Sequence, residues 1–403
     1  MRILGWARKA FHPMTAAAAL VAIVVALGLD ARFGLPTLTR ISADSINVHP
    51  DFYTFWRSAE ALWEGRNIYD TGDRLPNLNP PLWTVLIAPL GLLEPLFAYR
   101  VFILIALALV VGYLAWVADE LRLRGGWAVV GTAMLLLSSP LLLTLALGQI
   151  YVFLALGLVV AWISDRRDES LISGIALGLV VAIKPSLAPV LLWPLARRRW
   201  RAFVVALVSG AAATLVGALV VGPAATLSWL RRLFGLSLLP HPDNASLLTT
   251  VARLFTETTF AEPIATLPWM VPVAYALSIG VIFLTAIKLT DGSEAGLWAL
   301  VAATLLASPI AWHMYLVLLG PGVLLLLARG WVAPGLLLLS LQLIPPRWPL
   351  LWIGKDTVVA SLALALYFFI LVAHWLIFLS FEKRIVPGQP QPAERSQGSP
   401  TYR

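Results

Sequence analysis

The sequence predicts an all-α integral membrane protein, a polytopic bundle of about twelve transmembrane helices with interfacial helices in its outer loops. Of the 403 residues, 60% are hydrophobic and only 12% are charged, whereas soluble proteins carry about 25% charged residues. Several uncharged stretches exceed the roughly 18 residues that cross about 30 Å of hydrocarbon. Examples are "VFILIALALVVGYLAWVA" and "TVVASLALALYFFILVAHWLIFLS". These lengths exclude a large soluble helical core.

Hydropathy, together with the positions of proline and glycine, locates the predicted crossings. The segment at 186–196 is too short to span alone, and because it follows Pro185 we expect it to continue a broken helix. The predicted spans are 14–29, 96–118, 127–147, 149–164, 170–183, 186–196, 200–221, 269–289, 295–309, 312–328, 331–344 and 357–380.

Basic residues in the short loops predict the orientation of the chain. With twelve crossings these residues all fall on one side, which makes both termini cytoplasmic and leaves two long loops, about 30–93 and 222–268, on the opposite face. Residues 1–383 are then a single polytopic domain of the cell membrane, whose first helix is retained, and 384–403 are a disordered cytoplasmic tail. The basic groups are Arg2, Arg8, Lys9, Arg122, Arg124, Arg166, Arg167, the run at 196–201, Lys288, Arg329, Lys383 and Arg384.

The net charge of +8 fits this topology and contact with anionic lipids, and it indicates no nucleic-acid partner. The chain has no cysteine, which excludes disulfides, thiolate catalysis and cysteine metal sites. Zinc-ligand spacing, a P-loop, a nucleophile elbow and a dinucleotide fingerprint are absent from the sequence. A cytosolic site for ATP or a nucleotide sugar therefore has no support.

Both outer loops contain an amphipathic stretch that predicts an interfacial helix. In "DFYTFWRSAEALWEG" the apolar residues recur at helical spacing from Phe52 to Trp63, while Arg57, Glu60 and Glu64 take the other face. "TLSWLRRLFGLSLL" in the second loop has the same character. These stretches carry or adjoin the polar residues considered next.

Asp51 begins the first of these stretches, and two explanations of it remain open. An aspartate commonly caps a helix. A carboxylate beside aromatic side chains and lipid is also partly desolvated, which makes it more basic and suits a general base. The two roles can coexist, and Tyr53 beside it is predicted to contribute to substrate binding.

Two further polar groups stand at the ends of apolar helices on the same predicted face. Gln149 follows Gly148 in "LALGQIY", where the pair is either a tight turn or an amide that binds ligand hydroxyls. Lys184 in "VVAIKPS" is a lone cation that either extends to lipid headgroups or neutralises the phosphate of a lipid-linked ligand.

Two more polar stretches lie closer to the C-terminus. In "HPDNASLLTTVARLF", either Asp243 or Asn244 caps a helix whose arginine faces water, or the segment is a lid that binds a sugar or phosphate. The second reading makes substrate-binding candidates of Asn244, Ser246 and Arg253. In "ASPIAWHMYL", His313 is either a buried, hydrogen-bonded histidine or a phosphate contact, with Trp312 beside it as a substrate-binding candidate.

Five elements, in this order, resemble glycosyltransferase family 87, whose members are membrane enzymes of the GT-C architecture that use polyprenyl-phosphate sugars. The resemblance covers roughly residues 48 to 330, with one departure: Asn79 stands where the family often has a tyrosine before the prolines. The elements are "DFYTFWRSAEALWEGRNIY", "NPPLWTVLIAPL", "GQIYVFLALGL", "GIALGLVVAIKPSLAPVLLWPLARRRWRA" and "SPIAWHMYL", and "NASL" lies between the last two.

The resemblance implies roles for individual residues. Asp51 matches the aspartate taken as the catalytic base, and His313 matches the histidine expected near the donor phosphate. Lys184 matches the lysine before proline at the helix end, and Gln149 the glutamine of the Gly-Gln pair. Asn244 and Ser246 match the loop motif, which is predicted to bind substrate.

These assignments predict a hexosyltransferase, with mannose as the family's commonest sugar. A polyprenyl-phosphate sugar would be the donor and a glycolipid or glycan the acceptor, both on the outer or periplasmic face. Asp51 takes a proton from the acceptor hydroxyl while cations balance the departing phosphate, which suits one displacement with inversion. No cofactor and no metal ion are called for.

A transporter or flippase of amphiphilic or lipid-linked substrates is the alternative. Such a protein should carry charges near mid-membrane and broken helices in matched halves. Here the polar residues gather on one predicted face, which favours chemistry at the surface. A purely structural membrane protein gives no reason for Asp51, Lys184 and His313 to share that face.

Overall fold

The computed structural model describes residues 35–235, 238–260, 262–289, 292–345 and 358–381. The predicted first span at 14–29 and the predicted tail at 384–403 lie outside the described residues. Within these ranges the regular structure is helical, and one isolated bridge joins Asn244 to Trp312. The predicted all-helical fold class is confirmed for this part of the chain.

Seventeen α-helices are numbered in chain order across the described ranges. Short 3-10 segments join some of them, at Ile46–Val48, Ala88–Leu92, Pro185–Leu191 and His313–Leu319. The α-helices are α1 (Leu35–Ile41), α2 (Pro50–Trp63), α3 (Pro81–Ile87), α4 (Pro95–Glu120), α5 (Gly126–Leu136), α6 (Ser139–Leu147), α7 (Tyr151–Arg166), α8 (Ser170–Ile183), α9 (Leu192–Ala196), α10 (Trp200–Phe234), α11 (Leu247–Phe255), α12 (Met270–Leu289), α13 (Gly296–Ala307), α14 (Gly320–Ala328), α15 (Val332–Gln342), α16 (Val358–Leu364) and α17 (Leu366–Leu379).

Three of the described helices, α4, α10 and α12, are long and apolar enough to cross a membrane. The pairs α5–α6 and α16–α17, bent by 41° and 56°, raise this number to five if each pair is one span. Twelve crossings are therefore not confirmed. Several predicted spans do form helices, but a 14-residue helix such as α8 is only about 21 Å long. As predicted, the segment after Lys184 is a broken helix, made of a 3-10 segment and α9.

Charged residues form ion pairs at one end of the bundle. Arg166, at the end of α7, lies 3.2 Å from both Glu120 and Glu294, and Arg329 lies 2.6 Å from Glu294. Arg197 pairs with Asp165 at the same end of α7. Several basic residues predicted to share one side therefore meet at one end of the structure.

Helices α8 and α10 pack closely because both carry small residues at their contact. A Cβ atom added to Gly178 would lie 2.5 Å from the backbone oxygen of Ala206, which excludes any larger residue without a shift of one helix. The outer surface of α10 is uncovered in the monomer, with Leu219 72% exposed and Val208 64% exposed. Apolar side chains on that surface suit contact with lipid.

The two predicted interfacial helices differ in how they form. Helix α2 buries Phe52, Phe55, Trp56 and Ala59 against the bundle, whereas Trp63 is half exposed. Residues 226–234 of the second stretch lie in the distal part of α10, the part that follows a sharp turn at Gly222, where φ is 84°. Both helices thus pack on protein and help to form the site described next.

Candidate functional site

Asp51 lies in the first turn of α2 and does not cap it. The helix begins at Pro50, a position that suits the fixed φ of proline, and His49 occupies the cap position. The carboxylate of Asp51 instead accepts a hydrogen bond from the Gln149 side chain. The cap interpretation is therefore wrong, because Asp51 is already inside the helix and its side chain faces another element.

The start of α2 is held in place by His49. Its imidazole stacks on Tyr99 with ring centroids 3.6 Å apart, and Nδ1 lies 2.7 Å from the carbonyl oxygen of Ala146, to which it donates. Burial lowers the pKa of His49, which favours the neutral ring. Asp51, two residues later, is thereby fixed in position relative to the end of α6.

Gly148 and Gln149 form the turn between α6 and α7. Gly148 has a φ of 69°, and a Cβ atom there would lie only 2.4 Å from the Cβ of Phe52. Glycine is needed both for the left-handed backbone and for the approach of α2. The predicted tight turn is therefore present, and the Gln149 amide reaches Asp51, while its binding of ligand hydroxyls stays a prediction.

Two tyrosines connect Asp51 with Lys184. The rings of Tyr151 and Tyr315 lie 4.0 Å apart and their hydroxyls are hydrogen-bonded. The charge of Asp51 acts on both phenols, and Nζ of Lys184 lies 3.5 Å from the Tyr315 hydroxyl. The predicted base and the predicted phosphate cation therefore lie at the same end of the bundle. The ion pairs of Arg166 are at the opposite end of α7, about 24 Å away for a helix of 16 residues.

A cavity of about 110 Å³ opens beside Lys184. It is bordered by the 3-10 turn after α8, by the distal part of α10 and by the segment that precedes His313. Asp51 is not in its wall, but Tyr315 is, so that this tyrosine neighbours both the carboxylate and the cavity. Polar and aromatic members of the wall are Lys184, Ser186, Trp229, Arg232, Ser308, Trp312 and Tyr315.

His313 occupies a buried position next to this site. Its Nε2 lies 3.1 Å from the Ser139 hydroxyl, its ring is 4.4 Å from that of Tyr367, and it is 2% exposed. Its Nδ1 atom has no hydrogen-bond partner among the described residues. The imidazole thus faces the bundle interior and not the wall of the cavity, and its contact with a donor phosphate stays a prediction.

The loop that contains Asn244 is tied to the segment before His313. Asn244 is fully buried, and its Oδ1 accepts hydrogen bonds from the backbone N–H groups of Ser246 and Ala311. The N–H of His313 donates to the carbonyl oxygen of Asp243 over 2.8 Å. This pairing holds Trp312 at the cavity, with the ring of His241 packed edge-on against it at 5.8 Å.

Ser246 and Arg253 also hold this loop together. Ser246 caps α11, since its hydroxyl accepts from the N–H of Thr249, and the expectation of a cap by Asp243 or Asn244 is therefore wrong. Arg253 is 1% exposed and donates to the carbonyl oxygen of His241 over 2.6 Å, so it does not face water. These contacts favour a framework role, and substrate binding by Asn244, Ser246 and Arg253 stays a prediction.

Asp243 is a second carboxylate near the site. Burial raises its pKa to about 7, and the nearby Arg253 guanidinium opposes that shift. One carboxylate oxygen is buried without a partner in the described residues. Asp243 is joined to the segment of His313 by a backbone hydrogen bond, and it takes no part in the hydrogen bond between Asp51 and Gln149.

Tyr53 and Trp312 take different positions. Tyr53, two residues after Asp51, is partly buried. Its ring stacks on that of Trp56, with ring centroids 5.9 Å apart and an angle of 6° between the planes. Trp312 lines the cavity. Trp312 can therefore contact a ligand of the cavity directly, while a ligand contact of Tyr53 stays a prediction.

Two residues of the site, Tyr151 and Arg232, were absent from the sequence-based assignments, and Tyr315 was noted in its motif without a role. The tyrosines stand two positions after Gln149 and His313, inside motifs already noted. A buried phenol requires a hydrogen-bond partner, and this requirement could have indicated that the two tyrosines belong to the site. Nothing in the sequence distinguishes Arg232 from Arg231, its neighbour on an amphipathic stretch.

The pH dependence of activity follows from Asp51. Burial raises the pKa of Asp51 to about 6, while the Gln149 hydrogen bond and the charge of Arg40 oppose this shift. If the carboxylate is the working base, kcat/KM should rise with pH through about 6 and fall tenfold per unit below it. Gln149→Leu removes a bond to the charged form and should move this acidic limb to higher pH, as pH–rate profiles of both proteins would reveal. An unmoved limb would contradict the assignment of the limb to Asp51.

Comparison with known proteins identifies the family. A model of glycosyltransferase family 87 matches residues 77–309, which is more than half of the chain. The chain belongs to glycosyltransferase family 87. The family match includes Gln149, Lys184 and the Asn244 loop, whereas Asp51 and His313 lie outside the matched residues.

Similar curated proteins give a more specific comparison. Two proteins described as alpha-(1->3)-arabinofuranosyltransferase, from Mycobacterium tuberculosis strains CDC 1551 / Oshkosh and ATCC 25618 / H37Rv, are each 31% identical to this family 87 chain over 170 residues. The match covers 40% of this chain and 39% of each relative. The similarity thus spans about two fifths of the length of these relatives.

Proposed function

We propose that this family 87 protein is a glycosyltransferase of the GT-C type. It moves a hexosyl group, with mannosyl as the expected sugar, from a polyprenyl-phosphate donor to a glycolipid or glycan acceptor on the non-cytoplasmic face. The observation that carries the proposal is the connection of Asp51, hydrogen-bonded to Gln149, with Lys184 through the Tyr151–Tyr315 pair. A cation in the cavity wall, and a carboxylate separated from that cavity by Tyr315, suit departure of a phosphate and removal of a proton.

The proposed reaction is a single displacement at the anomeric carbon. The acceptor hydroxyl loses its proton to the Asp51 carboxylate as its oxygen forms the new bond to that carbon. The bond from the anomeric carbon to the phosphate oxygen breaks, and its electron pair leaves with the polyprenyl phosphate. Attack on the face opposite the phosphate inverts the configuration, and no protonation of the leaving group is required.

Lys184 is proposed to stabilise the negative charge that grows on the phosphate. Lys184 lines the cavity, and its Nζ lies 5.3 Å from the centroid of the Tyr315 ring. A fixed cation in a site that excludes water acts more strongly than one in bulk solvent. His313 remains a proposed contact of the donor phosphate.

The proposed location is the cell membrane, as a multi-pass protein with the site at the outer surface. The apolar outer faces of α10 and α12 and the short-loop arginines Arg166, Arg197 and Arg329 at the end opposite Asp51 support this orientation. A polyprenyl phosphate keeps its phosphate at headgroup depth while its chain stays in lipid. A site at the end of the bundle suits such a donor.

A pentofuranosyl donor is a second candidate for the sugar. The relatives from Mycobacterium tuberculosis are described as arabinofuranosyltransferases, and their match to this chain includes no more than two fifths of either. A polyprenyl-phosphate arabinofuranose would present the same phosphate to Lys184. The two candidates therefore share a mechanism and differ in the sugar.

A transporter of lipid-linked substrates is the alternative function. It would require charged groups near the middle of the spans. In the described residues the charged side chains of α7, Asp165 and Arg166, lie at its last turn, and Tyr151 at its first position is uncharged at neutral pH. Lys184 lies beyond the last residue of α8. This distribution favours a reaction at one surface.

Incubation with a panel of donors tests the proposal. The purified full-length protein is mixed with polyprenyl-phosphate mannose, glucose and arabinofuranose together with a lipid extract, and the products are identified by mass spectrometry. Transfer from one of these donors, with an inverted anomeric centre, is the expected result. Movement of a labelled donor across vesicles without formation of a new glycoside would support the transporter instead.

A further inference from the structure

The cavity beside Lys184 contains a second cation, Arg232. Its side chain comes from the distal part of α10 and lines the same cavity. The Nη2 atom of Arg232 donates to the carbonyl oxygen of Tyr69 and lies 3.3 Å from a carboxylate oxygen of Asp70. Asp70 is 63% exposed, so water screens its charge and little of the positive charge of Arg232 is cancelled.

The position of Arg232 is fixed by packing. After the turn at Gly222, the distal part of α10 places Trp229 against Ile68 and Tyr69. The indole N–H of Trp229 also donates to the carbonyl oxygen of Leu78 over 3.2 Å. Arg232 follows one helical turn later and is therefore directed at the cavity by a packed element.

The rest of the cavity wall is uncharged. No carboxylate is among its described lining residues, which include the apolar side chains of Leu78, Leu233 and Ile310. Two cations within an apolar and aromatic wall fit a ligand with a small anionic group and a hydrocarbon part. A polyprenyl phosphate has this chemistry.

We infer that Lys184 and Arg232 together bind the phosphate of the lipid-linked substrate, and that the pair binds the departing phosphate monoester more tightly than the phosphodiester of the intact donor. The inference rests on the proposed function and deepens it. The donor phosphate is a diester with one negative charge. When its bond to the anomeric carbon breaks, the departing monoester carries two.

The charge difference gives Arg232 its specific role. One cation balances the single negative charge of the diester. The second cation has a negative charge to balance only when the second charge develops on the departing phosphate. An interaction that strengthens toward the transition state raises kcat, and one that is equal in both states does not. Arg232 thus contacts the group that leaves and stabilises it after Lys184 has fixed the donor.

Binding of two unreactive probes tests this inference. One probe is a short polyprenyl phosphate at about pH 7, mostly a dianion because the second pKa of a phosphate monoester is about 6, and the other is its methyl phosphodiester, a monoanion. Arg232→Gln in the full-length protein should weaken binding of the monoester about tenfold and of the diester less than about threefold, since a charged hydrogen bond is lost mainly for the dianion. Arg232→Lys, which keeps the charge, should recover part of the monoester affinity.

The control is Arg231→Gln, which makes the same charge change at the exposed neighbour that does not line the cavity. Arg231→Gln should leave both affinities within about twofold of the parent protein. Equal weakening of both probes by Arg232→Gln would overturn the inference, because it would indicate a structural role. Wild-type protein that binds neither probe would overturn the proposed function itself, so the two failures are distinguishable.

Discussion

Replacement of Asp51 by Asn should lower kcat by about 10²–10⁴-fold, the usual contribution of a general base. Asparagine has the shape of aspartate but cannot accept the proton of the acceptor hydroxyl. The amide retains a polar contact with Gln149, so the fold and the thermal midpoint should change little. Turnover of the purified variant with the donor identified above, alongside its melting curve, gives the measurement.

Asp44→Asn is the matched control for Asp51. Asp44 precedes α2, is 89% exposed and pairs with Arg100 over 2.6 Å, so the same chemical change occurs away from the site. Its turnover should stay within about twofold of the parent protein. Near-normal turnover of Asp51→Asn would remove Asp51 as the base.

Replacement of Lys184 by Gln should lower kcat/KM for the donor by about 10²–10³-fold, a typical loss for one electrostatic contact in a transition state. The ammonium lies in the cavity wall and over the rings of Tyr151 and Tyr315 at 5.8 and 5.3 Å. The loss should appear as weaker use of the donor, with the KM of the acceptor nearly unchanged. Initial rates measured while each substrate is varied in turn separate the two effects.

Lys288→Gln controls for the loss of a positive charge from a membrane helix. Lys288 is exposed in the last turn of α12, a helix that contributes nothing to the described cavity wall. This variant should retain the rates of the parent protein. If Lys184→Gln impaired the use of the donor and of the acceptor equally, the assignment of a phosphate contact to Lys184 would be contradicted.

The sequence predicted the site best where a polar residue interrupts an apolar helix. Gln149 and Lys184 end or begin long apolar runs, and the structure brings both toward Asp51. Such residues are costly in lipid, so their position is informative without any knowledge of packing. The amphipathic pattern of α2 likewise predicted the burial of Phe52, Phe55, Trp56 and Ala59, although Trp63 on the same predicted face is half exposed.

The sequence failed where a position depends on contacts between distant segments. The burial of Arg253 depends on carbonyl groups 9 to 13 residues away that only the folded loop brings together. The pairing of Tyr151 with Tyr315 joins residues that are far apart in the chain, and each alone has the sequence signature of an ordinary core aromatic. Arg232 enters the cavity only because α10 turns at Gly222.

The count of twelve crossings was not confirmed, for a different reason. Hydropathy detects apolar composition, but α8 and α13 end after 14 and 12 residues, where Lys184 and the Ser308–Pro309 step stop them. Proline disfavours a helical conformation in the residue before it. The polar turns that form the site thus also shorten the helices that lead to it.

Labelling of single cysteines tests the central claim, that Asp51 and Lys184 share a site at the outer surface of the membrane. The chain has no cysteine of its own, so Asp44→Cys, Ser186→Cys and Arg124→Cys each introduce one exposed thiol. In intact cells a membrane-impermeant maleimide should label the first two positions and reach Arg124→Cys only after permeabilisation. Labelling of Asp44→Cys and Ser186→Cys from opposite sides, or of both only from the inside, would contradict the account.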